Sequence, residues 1–313
     1  MSIRSNKQDL AVLMATYRGE AFVGEQLRSF AAQGCERVQL FVSDDSDNAS
    51  TRDAISDTLT KLDPVDATIA AGPQSGFVEN FRHLVLHSQP DSDFIAFSDQ
   101  DDIWLPDKTT RSIAWLKKQP RGVPALYCGR TQMIDEAGRD TGRLSPLFPK
   151  APAFKNALVQ SIAGGNTMTM NRAAFDLIKR SFAHGAPVTH DWWAYLIVTG
   201  AGGRVYYDPQ PLTLYRQHGR NLIGENQSPT ARARRIKMIA SGVWKRWQDT
   251  QLDLIDKNVS ELTPDAQATL ERFRSIRHAS PLTRLTSLKR SDVWRQTNAG
   301  TAALYLAVLL NKF

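Results

Sequence analysis

Short apolar runs alternate with amphipathic segments from Leu10 to Phe97. Leu10-Ala11-Val12-Leu13-Met14-Ala15 reads as a buried strand that ends at Thr16-Tyr17-Arg18-Gly19. Phe22, Val23, Leu27 and Phe30 then recur at helical spacing, which predicts a helix from Phe22 to Ala32. Residues 38–42 form a second strand, stopped by Ser43-Asp44-Asp45-Ser46-Asp47. A helix from Thr51 to Leu62 follows, with Ser50 as its expected cap. Residues 67–71 are a third, weaker strand, 77–87 a helix, and 94–97 a fourth strand. Strands alternating with helices in this way predict an α/β fold with a mostly parallel sheet.

Beyond the fourth strand the pattern loosens. Pro106 opens a helix that runs to Lys118, and residues 125–128 make a short strand. The Gly- and Pro-rich stretch from Gly138 to Pro152 reads as a loop. A strand at 167–170, a helix from Arg172 to Phe182 and a strand at 205–207 follow, the last ending at Asp208-Pro209. From Thr230 onward no strand is predicted. Ile236, Ile239, Ala240, Val243, Trp244 and Trp247 instead trace one face of a helix, with Arg234, Arg235, Lys237, Lys245 and Arg246 beside or opposite it. Such a stripe is either core or an interfacial surface for anionic lipid. The apolar run Ala302 to Leu310 is far short of the ~18–20 residues that a membrane span needs.

Charge separates the two parts. Residues 1–228 carry 24 Lys/Arg against 25 Asp/Glu, whereas 229–313 carry 15 against 7. The expected organisation is a catalytic domain over 1–228 and a basic helical extension over 229–313, the latter suited to an anionic membrane face or a nucleic acid. The polar N-terminus lacks the apolar core of a signal peptide. Cys35 and Cys128 have no metal-ligand spacing and imply no disulfide framework. A cytoplasmic location is expected, with peripheral contact at the inner face of the plasma membrane.

The chemistry concentrates in Phe97-Ser98-Asp99-Gln100-Asp101-Asp102-Ile103-Trp104. Three carboxylates emerge together at the carboxyl end of a buried strand, where open α/β sheets bind ligands. Like charges this close repel, and a divalent cation holds them ionised together. Oxygen donors without sulfur favour Mg²⁺ or Mn²⁺. A solvated acidic turn is the plainer alternative.

Several motifs in order make that alternative weak. Ala15-Thr16-Tyr17, Ser43-Asp44-Asp45-Ser46 and Ser98-Asp99-Gln100-Asp101-Asp102-Ile103-Trp104 resemble a family 2 glycosyltransferase of the GT-A (Rossmann-like) fold. Ser75-Gly76-Phe77-Val78-Glu79-Asn80-Phe81, His190-Asp191-Trp192-Trp193 and Tyr215-Arg216-Gln217-His218-Gly219-Arg220-Asn221 resemble its bacterial rhamnosyltransferase-like branch. The resemblance covers residues 9–224 and leaves out the C-terminal segment.

The loop of Ala15, Thr16 and Tyr17 can offer backbone groups and an aromatic face to a pyrimidine. By resemblance Asp44 accepts the pyrimidine N–H, while Asp45 reads as a turn cap. Gly76 and Asn80 lie near the nucleotide by the same resemblance, or simply start a helix. The resemblance also implies that Asp99 faces the ribose and Asp101 binds the metal. Asp102 then supports from behind or ligates through water, and Trp104 packs or stacks on a sugar. His218 can supply a further metal ligand or contact the diphosphate, with Arg216 and Arg220 as phosphate-pairing residues. Asp191 is the expected catalytic base, since two adjacent Trp would desolvate a carboxylate and raise its pKa. In the family's inverting members an acid at this point deprotonates the acceptor. The commoner family pattern has Glu where His190 stands. Gly164-Gly165-Asn166 is an acceptor-side turn by resemblance, or a plain turn.

The expected function is therefore inverting, metal-dependent sugar transfer from a nucleoside diphosphate sugar, with dTDP-rhamnose leading by resemblance. The acceptor would be a lipid-linked or growing surface polysaccharide or O-antigen chain, and no nucleic acid is expected as a partner. A nucleotidyltransferase would use the same acids, but Arg18-Gly19 is a meagre phosphate loop for one. A nucleic-acid-binding protein driven by the basic tail leaves the acidic cluster and Asp191 unexplained.

Overall fold

The structure, a computed structural model, describes residues 9–63, 65–219 and 241–312. Nine strands among them form one sheet: β1 (Asp9–Thr16), β2 (Arg37–Asp44), β3 (Val65–Ala71), β4 (Phe94–Ser98), β5 (Ile103–Trp104), β6 (Ala125–Ile134), β7 (Asp140–Leu144), β8 (Thr169–Asn171) and β9 (Arg204–Arg216). Their order is β3-β2-β1-β4-β8-β6-β9-β5, with β7 paired to β6. Strands β3, β2, β1 and β4 are parallel, and β8 runs antiparallel between β4 and β6. The chain winds outward from β1 to β3 and returns to the other side of β1 as β4. This reversal opens a crevice at the carboxyl ends of β1 and β4.

The helices before residue 220 are α1 (Val23–Ala31), α2 (Ser50–Leu59), α3 (Phe77–His87), α4 (Lys108–Leu116), α5 (Phe154–Ala157), α6 (Arg172–Phe182) and α7 (His190–Gly200). Side chains alternate across a strand, so β1 feeds two cores. Leu10, Val12 and Met14 join Val23, Leu27 and Phe30 of α1, Ile55 of α2 and Ile113 of α4. Ala11 and Leu13 join Phe81 of α3, Phe175 of α6 and Trp193 of α7. Cover on both faces explains why β1 reads as an unbroken apolar run.

Four helices follow residue 240: α8 (Val243–Asp256), α9 (Pro264–His278), α10 (Pro281–Ser291) and α11 (Asn298–Leu309). Their Leu252, Ile255, Phe273, Leu288 and Val308 belong to the core shared by α6 and α7. The tryptophan stripe packs inward as well. Trp244 stacks on Trp192 of α7 at 5.8 Å, lies 6.5 Å from Trp247, and has the Arg295 guanidinium 5.1 Å from its ring centre. Ile236, Ile239, Ala240, Arg234, Arg235, Lys237, Arg220 and the expected boundary at 228/229 lie outside the described residues.

Some expected boundaries differ. Strand β6 continues to Ile134 and pairs with β7 inside the stretch read as a loop. All five β7 residues are exposed, so no apolar alternation marks it. Strand β9 runs on through Pro209 and Pro211. The β6–β9 register slips twice between Gly129 and Thr131, and Pro209 falls within the slip, where no ladder N–H is required. Ser50 is the first residue of α2 rather than its cap, and its N–H donates to Asn48 Oδ1 at 3.0 Å.

Candidate active site

The crevice is built from the loops after β1, β2 and β4. Thr16 pairs with Asp44 in register, and its hydroxyl donates to Asp44 Oδ1 at 2.9 Å. Ser46 donates to the same oxygen through its hydroxyl (2.7 Å) and backbone N–H (3.3 Å), and Arg52 pairs with Oδ2 at 2.8 Å. Asp44 is thus buried and well partnered, and a base N–H would share Oδ2 with Arg52. Asp45 takes the N–H groups of Gln74 and Gly76, which makes it the brace of the loop before α3. Gly76 precedes α3 with φ of +90°, a backbone setting that favours glycine. Asn80 donates to the Thr16 and Ser43 carbonyls and ties β1 to β2 beneath the loop after β1.

Gln100 is a contact that the motif reading missed. Its amide accepts from the Tyr17 N–H at 2.8 Å and donates to the Tyr17 carbonyl at 2.9 Å. This clasp joins the loops after β1 and β4 across the crevice. It needs Gly19, where a Cβ would come within 2.1 Å of Gln100 Oε1. The Tyr17 ring stays 54% exposed at the rim, with the Arg18 guanidinium 5.3 Å from its centre.

The acidic loop is held from below. Asp102 is fully buried and accepts from Asn166 Nδ2 at 2.5 Å and the Arg216 N–H at 3.2 Å. Burial first, then the charges of Asp101 and Asp99, pushes its carboxyl well above the usual carboxylate range. Asp99 keeps some exposed surface, yet burial of its carboxyl, Asp101 and Asp191 together push it up to about 7, against the pull of Lys108.

Two internal cations answer these acids, which sequence reasoning had left to a metal alone. Lys108, fully buried at the start of α4, donates to the Asn166 carbonyl, lies 3.4 Å from Thr213 Oγ1, and sits 4.1 Å from the Trp104 ring centre. Burial pulls its ammonium down to about 7, opposed by Asp102 and Asp99. Trp104 itself packs on Phe30 and is 3% exposed. Arg216 is 2% exposed, and its guanidinium bonds the Asp101 carbonyl (2.9 Å), the Glu136 carbonyl (2.9 Å) and Glu25. It also stacks 5.0 Å from the Phe22 ring centre. These partners make Arg216 a strut beneath the acidic loop. Its reach to phosphate would cost these bonds.

At the rim, His218 Nε2 meets Asp101 Oδ2 at 2.7 Å, and the imidazole stacks on Phe22. One carboxylate and one imidazole fit Mg²⁺ or Mn²⁺ if diphosphate oxygens and water complete the coordination. Among the described residues no group of three or more His, Cys, Asp or Glu is placed to hold an ion by itself.

Asp191 stands in the first turn of α7, after the Thr189 N-cap, and its Oδ1 accepts the Trp192 N–H at 2.7 Å. Its charge acts on Asp99, which places it beside the acidic loop. The two tryptophans do not wrap the carboxylate as expected. Trp192 Nε1 donates to the Ala157 carbonyl and Trp193 Nε1 to Ser181 Oγ, so both indoles anchor α7 in the core. His190 stacks on Phe81 at 3.6 Å and meets Phe97 edge-on, and neither ring nitrogen has a hydrogen-bond partner among the described residues. Burial lowers its pKa to about 4, so it stays neutral. Gly165 fits against it, since a Cβ there would meet His190 Nε2 at 2.1 Å. The Gly164–Asn166 turn thus binds both Asp102 and Lys108 on one side and His190 on the other.

The switch-point crevice of this sheet gathers Asp99, Asp101, His218 and Asp191. The chain superimposes on Staphylococcus aureus TarS in complex with UDP-GlcNAc with a TM-score of 0.54, at 12% identity, over 91% of this chain and 90% of that one. The mannosyltransferase PcManGT from Pyrobaculum calidifontis, in complex with GDP-Man and Mn²⁺, gives 0.51 at 14% identity over 96% and 88%. The glycosyl transferase family 2 profile matches residues 11–178, and the chain belongs to that family. Among curated proteins, the dTDP-rhamnosyl transferase RfbG of Shigella flexneri is 28% identical over 247 residues, 76% of this chain and 83% of that one. Membership of the family sets aside the nucleotidyltransferase and nucleic-acid-binding alternatives.

Proposed function

We propose that the enzyme transfers rhamnose from dTDP-rhamnose, with inversion, to a hydroxyl of a lipid-linked or growing surface polysaccharide or O-antigen. The observation that carries this reading is the meeting of Asp101 and His218, 117 positions apart, at 2.7 Å on the crevice rim. The likeness to a dTDP-rhamnosyl transferase supports the choice of donor.

In this reading Asp101 and His218 would hold Mg²⁺ or Mn²⁺, which neutralises charge on a departing diphosphate when bound. Tyr17 and the adjoining Ala15–Thr16 backbone receive the pyrimidine, Asp44 its ring N–H, and Asp99 the ribose. Gly76 and Asn80 hold the nucleotide loop from beneath, and Arg220 pairs with phosphate. The acceptor oxygen attacks the anomeric carbon as that carbon's bond to the diphosphate oxygen breaks. The hydroxyl proton passes to Asp191, whose Oδ1 is engaged by the Trp192 N–H and whose Oδ2 takes it. Residues 1–228 form the catalytic unit and 229–313 an extension that works peripherally at the cytoplasmic membrane face. No helix among the described residues is long and apolar enough to cross a membrane.

Thermal unfolding with dTDP, UDP and GDP, each with and without Mn²⁺, checks the donor. A ligand at about 100 times its Kd stabilises by about 2.7 kcal/mol. The largest rise is expected with dTDP plus Mn²⁺. A larger rise with GDP contradicts the donor, and no rise with any nucleotide contradicts the site.

A further inference from the structure

We propose that the outer face of α11 is a docking surface for an anionic lipid bilayer. Helix α11 turns Leu304, Ala307 and Val308 into the core. Its opposite face, continued by Leu310, consists of Ala299, Ala302, Ala303, Leu306, Leu309 and Leu310, all exposed. Leu306 is 56% exposed, Leu309 41% and Leu310 58%. A helix at a water-facing surface carries polar residues on its outer side, whereas one apolar all round is covered by something. Three leucines at helical spacing make this the densest large-apolar exposure among the described residues.

Charge identifies the cover. From Arg272 to the end the chain carries eight Lys/Arg, of which Arg274 pairs with Asp256 and Arg277 with Asp249, and a single acid, Asp292, which is paired with Lys155 at 2.7 Å. Helix α10 packs against α11 and presents exposed Lys289 and Arg290 in its last turn, while Lys312 follows Leu310. Exposed leucines followed in sequence by Lys312, on a helix packed against the one that carries Lys289 and Arg290, fit an interface where leucines enter the acyl boundary and cationic groups meet lipid phosphates. A second copy fits worse, because a two-fold contact brings the same Lys and Arg side chains toward their own copies. The surface deepens the reading of a lipid-linked acceptor, and rests on it for its purpose. It would hold the crevice at the membrane where such an acceptor resides.

The test is co-sedimentation of the full chain with vesicles of phosphatidylcholine alone or mixed with phosphatidylglycerol, at low and high salt. The wild type is expected to bind the anionic vesicles, to lose binding at high salt, and to ignore the neutral ones. Leu306→Gln/Leu309→Gln/Leu310→Gln and, separately, Lys289→Gln/Arg290→Gln/Lys312→Gln are each expected to weaken that binding at least about tenfold. Neither set touches the crevice, so the dTDP-induced thermal shift should be unchanged in both. A wild type that ignores anionic vesicles overturns the proposal, as does a leucine variant that binds like wild type. A dimer that the leucine substitutions dissolve, with vesicles ignored, would assign the face to a second copy and also overturn it. If vesicles bind and dTDP gives no shift, the nucleotide reading fails and the docking surface stands.

Discussion

Asp191→Asn is expected to lower the rate of sugar transfer by about 10²–10⁴-fold, the range for removing a positioned general base. Nucleotide affinity should change by less than about twofold, since the loss falls on the transition state rather than on binding. Asn preserves the shape and can still accept the Trp192 N–H through Oδ1, so the first turn of α7 keeps its geometry. What it loses is the capacity to take a proton. Initial-rate kinetics with donor and acceptor varied, beside nucleotide titration by calorimetry, separate the two effects. Near-wild-type kcat in this variant would remove Asp191 from the chemistry.

Lys108→Met is expected to destabilise the fold by about 1.5–3 kcal/mol at neutral pH, the cost of losing a buried hydrogen bond from a charged donor. Met matches the stem of Lys but supplies no donor to the Asn166 carbonyl and no charge facing Asp99 and Asp102. The deficit should grow with pH. Asp99 in the folded wild type already titrates at about 7, with Lys108 pulling it down, so the variant's carboxyl moves higher still. A raised carboxyl holds a proton that the unfolded chain has released, so stability falls as pH rises from about 4 through 7. Wild type carries an opposing contribution. Its buried lysine, lowered from 10.5 to about 7, gives up a proton that the unfolded chain retains, which raises stability from about pH 7 to pH 10.5. Denaturant melts of both proteins from pH 5 to pH 9 check this. A deficit that is flat or shrinks toward high pH would mean that Lys108 does not balance these acids.

Much of the N-terminal half could be read from residue pattern alone, because β1 and β4 are buried on both faces. Leu10–Ala15 and Phe94–Phe97 are continuous apolar runs, and each ends in the polar residues that line the crevice. The hairpin of β6 and β7 was hidden for the opposite reason, since β7 is wholly exposed and lies in a Gly-rich stretch. Strand β9 was cut short because Asp208-Pro209 read as a stop, although the register slip opposite Gly129 and Arg130 accommodates Pro209.

The site divides along similar lines. Asp99, Asp101, His218 and Asp191 are short-range motif residues and were singled out. Lys108 was not, though a signal existed. It shares the inner face of α4 with Ser112, Ile113 and Leu116, and a lysine on a buried stripe needs an internal partner. Arg216 was noticed for its charge, but a motif cannot tell an outward guanidinium from one turned under the loop. That depended on Glu25 and Glu136, which are far away in sequence. Gln100 was visible within the acidic motif, yet its partner Tyr17 lies 83 positions earlier, and only the parallel pairing of β1 with β4 brings them together.

Anomalous diffraction at the manganese edge, from crystals grown with Mn²⁺ and dTDP, probes the central claim most directly. A peak touching both Asp101 and His218, with diphosphate oxygens on its far side and the thymine beside Tyr17, is the expected result. Nucleotide bound with no manganese at that pair, or manganese bound elsewhere on the chain, would contradict it.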